Sequence, residues 1–380
     1  MTCLCRLRDN SGARCEDRPV VSRGLATALI AVLAGSGAAH ARSTTVTTIA
    51  QWHGGIAGLA QDADDVAWCS ETAGYKQTIH LRRLQPPGER TFPASTHGQI
   101  YCGGSERMET ARGSVGWGGY EEVRCSDTHW AVYVARPTKP VNVQTTAHDC
   151  LGYGTTFAGL ATDGTSILYG TARYTGDDFA CSDSDRCFYR LTGGGVYRIA
   201  GKRAVRIPNV PPAGKIAAGD GLVAVAQPLS GGPYSYQSGP VPPAAAHNPL
   251  ITTYRSSDGT RVSQVRASGD VDAMALTGQE LVVRSGRTLT WYDVRTGSLA
   301  GSALAAQGLD ITSSGAISAS GTRVVYVARH DVHVLDLQTK SDTIVWHGTS
   351  WPLSPSIVGT RVVWAVEGAN TSAILSTDVG

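Results

Sequence analysis

The stretch Ile317-Ser318-Ala319-Ser320-Gly321-Thr322-Arg323-Val324-Val325-Tyr326-Val327, continued by Val332-His333-Val334-Leu335-Asp336-Leu337, decides how this chain is read. A small-residue strand, a glycine turn, a β-branched strand and another strand follow in turn, with no helical period. The first three features recur at six other places. They occur as Ile56–Leu59 before Val66-Ala67-Trp68, and as Val115-Gly116-Trp117 before Val123-Arg124-Cys125, with Glu121-Glu122 read as the turn. Further copies are Gly159-Leu160-Ala161 before Ile167-Leu168-Tyr169, and Ile216-Ala217-Ala218 before Leu222–Val225. The remaining two are Ala273–Leu276 before Leu281-Val282-Val283, and Ser356-Ile357-Val358 before Val362-Val363-Trp364. The markers Val66, Val123, Ile167, Val223, Leu281, Val324 and Val362 are 57, 44, 56, 58, 43 and 38 residues apart. A period of about 50 residues fits four strands per unit, so the fold class is all-β and the architecture a seven-bladed β-propeller.

The last copy runs out after Ala373-Ile374-Leu375-Ser376-Thr377-Asp378, one strand short. Thr48-Ile49-Ala50-Gln51-Trp52-His53-Gly54 matches Thr343-Ile344-Val345-Trp346-His347-Gly348. The N-terminal strand is therefore expected to complete the last blade and close the ring, which removes exposed sheet edges. In these residues the chain resembles TolB-type and WD-like propeller repeats, whose blades carry a Ser-Pro-Asp-Gly-like turn and a later apolar-Asp-apolar strand. Ala161-Thr162-Asp163-Gly164-Thr165 is a second partial copy. The resemblance implies a fold and carries no activity with it.

Arg18 and Arg23 precede the apolar run Leu25–Ala34, and small residues lead to Ala39-His40-Ala41. That is a signal peptide over residues 1–41, with the propeller over 42–380 and no membrane span after cleavage. The expected location is extracellular or periplasmic. Of 33 Lys and Arg and 31 Asp and Glu, five basic and three acidic residues lie in 1–41, so the remainder carries 28 of each. A nucleic-acid partner leaves a basic footprint, and none is present. Beyond residue 41 the cysteines are Cys69, Cys102, Cys125, Cys150, Cys181 and Cys187. An even count in an exported chain points to disulfides. Cys181 and Cys187 flank a short polar loop and are the expected pair. The other pairings stay open.

The long insertions fall at 70–77, 93–113, 173–187 and 228–249, all in the first four blades, on connections that share one face of a propeller. Long loops on a rigid scaffold carry binding. Tyr75, Tyr174, Tyr234 and Tyr236 are the candidate anchors, since tyrosine joins an apolar ring to a polar tip. Asp177 and Asp178, near Asp183 and Asp185, add a carboxylate cluster whose spacing fits no calcium loop, so no metal is expected. There is no G-x-S-x-G elbow, HExxH or P-loop, so no catalytic residue and no cofactor are assigned. His53 and His347 occupy matching repeat positions, which reads as packing; His330 and His333 read as structural. The expected function is a monomeric binding or scaffold module for a protein, peptide or glycan. The alternative is a hydrolase or lyase acting on polysaccharide, with its site assembled from several blades.

Overall fold

A computed structural model describes residues 45–72, 76–94, 102, 108–124, 127–136, 139–148, 154–176, 186–235, 245–306, 317–368 and 371–380. The first described strand is β1 (Thr47–Trp52). Blade 1 follows as β2 (Gly55–Gln61), β3 (Asp65–Thr72), β4 (Lys76–Arg83) and β5 (Gly88–Pro93). Blade 2 is β6 (Glu109–Ala111), β7 (Ser114–Arg124), β8 (Asp127–Arg136) and β9 (Lys139–His148). Blade 3 is β10 (Gly154–Thr162), β11 (Ile167–Gly176), β12 (Arg186–Ala200) and β13 (Arg203–Arg206). Blade 4 is β14 (Lys215–Gly219), β15 (Leu222–Ala226), β17 (Leu250–Arg255) and β18 (Arg261–Arg266). Its inserted strand β16 (Gly231–Ser235) pairs with β12 of blade 3. Blade 5 is β19 (Ala273–Leu276), β20 (Glu280–Ser285), β21 (Thr288–Asp293) and β22 (Leu299–Leu304). Blade 6 is β23 (Ser318–Ser320), β24 (Arg323–Ala328), β25 (Asp331–Asp336) and β26 (Asp342–His347). Blade 7 is β27 (Pro352–Val358), β28 (Arg361–Glu367) and β29 (Ser372–Asp378), with β1 as its fourth strand. The chain is a seven-bladed β-propeller of antiparallel four-stranded blades, with blades 2 and 3 joined through the pair His148–Gly154 into one nine-stranded sheet that includes β16.

The second strand of each blade is apolar on both faces because each sheet is packed between two neighbours. Val66, Val115, Val223, Val324 and Val362 are all fully buried. Buried clusters fill every seam between successive blades. The seam between blades 7 and 1 holds Leu59, Val66 and Trp68 against Val363, Ala365 and Ile374, with Ile49, Ala50 and Trp52 of β1 packed on them. β1 pairs antiparallel with β29, Thr47 opposite Ser376 and Trp52 opposite Ser372. The innermost strands converge on the axis, which is why they consist of small residues. A Cβ at Gly219 would overlap Leu276 O of the next blade.

Blade 2 departs from the sequence reading. Arg112 and Gly113 both have positive φ and make the tight turn between β6 and β7. Glu121 and Glu122 are therefore not a turn; they pair with His129 and Thr128 inside a long hairpin. Val115, not Val123, stands where Val66 stands in blade 1. Two adjacent glutamates imitate a polar turn, but the left-handed pair just upstream fixes the register.

Short turns on one face tie neighbouring blades together. Ser256 Oγ donates to Asp163 Oδ2 at 2.6 Å across blades 4 and 3, and Gly278 N donates to Asp220 Oδ2 at 2.7 Å across blades 5 and 4. Arg361 of blade 7 donates to Gln61 Oε1 at 2.9 Å and to Ala63 O at 3.1 Å in blade 1. Asp163 is buried, which by itself raises a carboxyl. The bonds it accepts from Ser256, Thr165 and Ser166 outweigh burial and hold it below the usual carboxylate range.

Candidate functional site

The two faces of the ring differ in loop length. On the tied face the turns are short, such as Asp163–Ser166, Asp220–Gly221 and Gly321–Thr322. The strand ends joined by the B–C and D–A connections open on the opposite face, and the spans between them include 94–108, 177–185 and 227–249.

The candidate anchors separate once placed. Tyr174 is buried, 2% exposed, and its hydroxyl donates to Leu229 O at 3.0 Å. It holds the start of the 227–249 connection and is not a free binding ring, which corrects the sequence expectation for that residue. Tyr75, Tyr236, Asp177, Asp178, Asp183, Asp185 and Cys181 lie outside the described residues, as do Cys125 and Cys150. Tyr234 sits on β16 opposite Cys187 of β12. The described disulfide joins Cys69 to Cys102, stapling β3 to the connection that leads into blade 2. His53 and His347 are exposed on the looped face rather than buried, as the repeat argument had it; His347 Nδ1 lies 2.5 Å from Asp331 Oδ1. Trp351, 53% exposed, stands on the same face with its ring 4.7 Å from that of His330.

A cavity of about 690 Å³ runs down the axis, lined by the innermost strands. Ala, Gly and Ser make up nearly half of its wall, including Ala60, Gly159, Ala217 and Ser356. Toward the looped face it meets charged residues, among them Glu109, Lys215 and Asp272. His247 Nδ1 and Asp270 Oδ1, 2.7 Å apart, join the 227–249 connection to the start of blade 5 beside this opening. Among the described residues, no three or more His, Cys, Asp or Glu side chains converge to hold a metal ion, and no helix is long and apolar enough to cross a membrane.

Blade 1 holds a polar relay that the motif search could not see. Ser70 Oγ lies 2.8 Å from His80 Nε2, and His80 Nδ1 lies 2.9 Å from Glu89 Oε1. An ionised carboxylate only accepts, so Nδ1 carries the proton. The neutral ring then presents Nε2 as an acceptor for the Ser70 hydroxyl. The three residues come from adjacent strands β3, β4 and β5. His80 is opposite Trp68 in the register and stacks on it, with centroids 4.8 Å apart and planes 1° from parallel. Trp52 of β1 also stacks on Trp68, at 5.9 Å. The signal that could have revealed this row is hairpin register rather than a motif. Once Trp68 is set opposite His80, Ser70 lies two residues further along the same face of β3.

Elsewhere in blade 1, Asp65 is fully buried at the start of β3. Burial first and the Asp62 carboxylate second push its carboxyl up, with Arg83, 3.6 Å away, pulling the other way.

Against known proteins, no family profile and no curated sequence matches this chain. Solved structures do. BamB from Moraxella catarrhalis is 9% identical over 87% of this chain and 99% of that one, with a TM-score of 0.43. A chain of the mitotic checkpoint complex is 10% identical over 94% of this chain and 99% of that one, TM-score 0.49. The Pan2 WD40 domain of Neurospora crassa is 8% identical over 89% of this chain and 97% of that one, TM-score 0.47. These are likenesses of fold.

Proposed function

We propose that this chain is an exported propeller that holds a protein, peptide or glycan on its looped face. One observation carries the reading: long connections lie on one face, while the other is closed by short turns bonded to neighbouring blades. A rigid ring with one elaborated face is the arrangement in which loops bind without the scaffold deforming. Trp351, with half-buried His330 beside it, supplies exposed aromatic surface there, and Tyr75, Tyr234 and Tyr236 belong to B–C connections in the sequence. Asp177 and Asp178 lie in the blade 3 connection and would add negative charge. The Cys69–Cys102 bond supports an oxidising compartment, and residues 1–41 act as the signal segment in this reading.

The test is to probe peptide and glycan arrays with the purified chain. A specific signal is expected. Changing Trp351→Ala together with His247→Glu on the looped face should weaken it by about tenfold or more, the usual effect of losing an interface hot spot. Changing Arg295→Glu together with Lys340→Glu on the tied face should leave it within about twofold. Loss from the second pair with retention in the first overturns the assignment of the face.

A further inference from the structure

We propose that Ser70 is an activated nucleophile that accepts an acyl group from an ester, with His80 as its general base and Glu89 orienting the base. This goes beyond binding and concerns a different place, the outer flank of blade 1 at its seam with blade 7.

Nucleophile, base and orienting carboxylate, three of the parts acyl transfer uses, are in contact. The nucleophile's oxygen is 2.8 Å from the base nitrogen, inside the range for proton transfer. The base's other nitrogen is 2.9 Å from a carboxylate that fixes its tautomer and offsets the charge that develops on the ring. The Trp68 ring, parallel to the imidazole at 4.8 Å, fixes the plane of the ring and offers a π face to the imidazolium. The row opens outward: Ser70 is 3% exposed, while the His80 and Glu89 side chains are 18% and 38% exposed. An incoming group meets the base and its partner before the hydroxyl.

The rest of the ring supplies an internal control. Blade 6 carries an aromatic–His–acid row in the same register, Tyr326, His333 and Asp342. At the position of Ser70 it has Ala328. A propeller blade can therefore build this row without a hydroxyl, and Ser70 is an addition to it.

The step balances as follows. Ser70 Oγ bonds to the carbonyl carbon of an ester as its proton passes to His80 Nε2. The bond from that carbon to the alkoxide oxygen breaks, and the alkoxide takes the Nε2 proton to leave as an alcohol. Water repeats the sequence on the acyl-serine. It gives its proton to Nε2, and the acid leaves as the proton returns to Ser70. General-base assistance of this kind contributes about 10²–10⁴-fold over an unassisted hydroxyl. The substrate class is a small ester, such as an O-acetyl group.

The purified full chain is treated with a biotinylated fluorophosphonate, which a serine activated in this way displaces with loss of fluoride, and the labelled peptide is mapped by mass spectrometry. In parallel, release of nitrophenolate from p-nitrophenyl acetate is followed. Label on Ser70 is expected, with a burst of one nitrophenolate per chain. Ser70→Ala, the residue that blade 6 tolerates at this position, abolishes both while the melting temperature holds. His80→Gln slows labelling by about a hundredfold or more. His333→Gln in blade 6 leaves it unchanged. Mapping on the unaltered chain decides the matter without any variant: label absent from Ser70 overturns the proposal. So does label on Ser70 that forms equally fast in His80→Gln, because the hydroxyl is then not activated by the histidine.

Discussion

In blade 1, Trp68, His80 and Glu89 stand in one row across β3, β4 and β5. In blade 6, Tyr326, His333 and Asp342 stand in the same row across β24, β25 and β26. The likeness is close. The aromatic and imidazole rings are 4.8 Å apart in one blade and 4.9 Å in the other, and Nδ1 lies 2.9 Å and 3.2 Å from its carboxylate. The surroundings diverge. In blade 6 the Tyr326 hydroxyl donates to Asp342 and accepts from Ala306 N at 3.1 Å; burial, with Asp342 next, pushes that hydroxyl up. His333 Nε2 has its nearest carboxylate oxygen, of Asp331, 4.0 Å away. In blade 1 the matching nitrogen meets Ser70 at 2.8 Å. Register places the row, and the residue two further along the second strand decides what the outer nitrogen can do. Blade 1 also sits at the closing seam, under Trp52, and is stapled by Cys69–Cys102, whereas blade 6 lies within the ring and has no cysteine.

Removing the closing strand should separate the two blades most. A chain beginning at Gly55 loses five ladder pairs with β29 and the cover that Ile49 and Trp52 give to the last seam. A loss of about 5 kcal/mol is expected, from partial burial of these side chains together with the ladder bonds. Hydrogen exchange should rise in blades 7 and 1 and stay near its starting value in blade 6. An unchanged melting temperature would show that the seam does not depend on β1.

The staple comes next. Replacing Cys69 and Cys102 by Ala opens a loop whose ends are 33 residues apart in sequence. Loop-closure entropy then predicts a loss of about 4 kcal/mol. Thermal unfolding followed by hydrogen exchange should show blade 1 and the connection into blade 2 opening before blade 6. Equal loosening of both would mean that the bond stabilises the whole ring rather than its own blade.

The smallest expected effect is the most direct exchange between the blades. Ala328→Ser puts a hydroxyl where blade 1 has Ser70, within reach of His333 Nε2 if the rows superpose. A satisfied buried hydrogen bond contributes about 0.5–1.5 kcal/mol, less the cost of fitting one oxygen, so denaturant unfolding should show a gain of roughly 0.5 kcal/mol. A loss above about 1 kcal/mol would mean that the hydroxyl is left unpaired and that the rows differ in detail.

The repeat was legible because its signal is local. Runs such as Val324-Val325-Tyr326 and Val362-Val363-Trp364, each after a glycine turn, specify strands buried on both faces, and seven such units specify a ring. The Trp-His-Gly match at 52–54 and 346–348 is also a local fact, and it foreshadowed the pairing of β1 with β29. Three readings that depend on which atoms meet failed. The turn of blade 2 hinged on two positive φ angles at Arg112 and Gly113, which two glutamates downstream concealed. Tyr174 had the composition of an anchor and the burial of a core residue, because β16 and its flanks fold back onto blade 3. His53 and His347 had the periodicity of buried residues and are exposed.

The sequence by itself determined the strand class, the number of blades, the neutral charge balance beyond residue 41 and the preference for disulfides. Apolar periodicity, turn residues and composition act over a few residues at a time, so they can be read along the chain. Only the tertiary structure decided that Cys69 meets Cys102, that the ring encloses a cavity of about 690 Å³, and that Ser70, His80 and Glu89 touch. Those contacts are set by cross-strand register and by the approach of one blade to the next. A shift of a single residue in either would turn each of these side chains to the opposite face of its sheet.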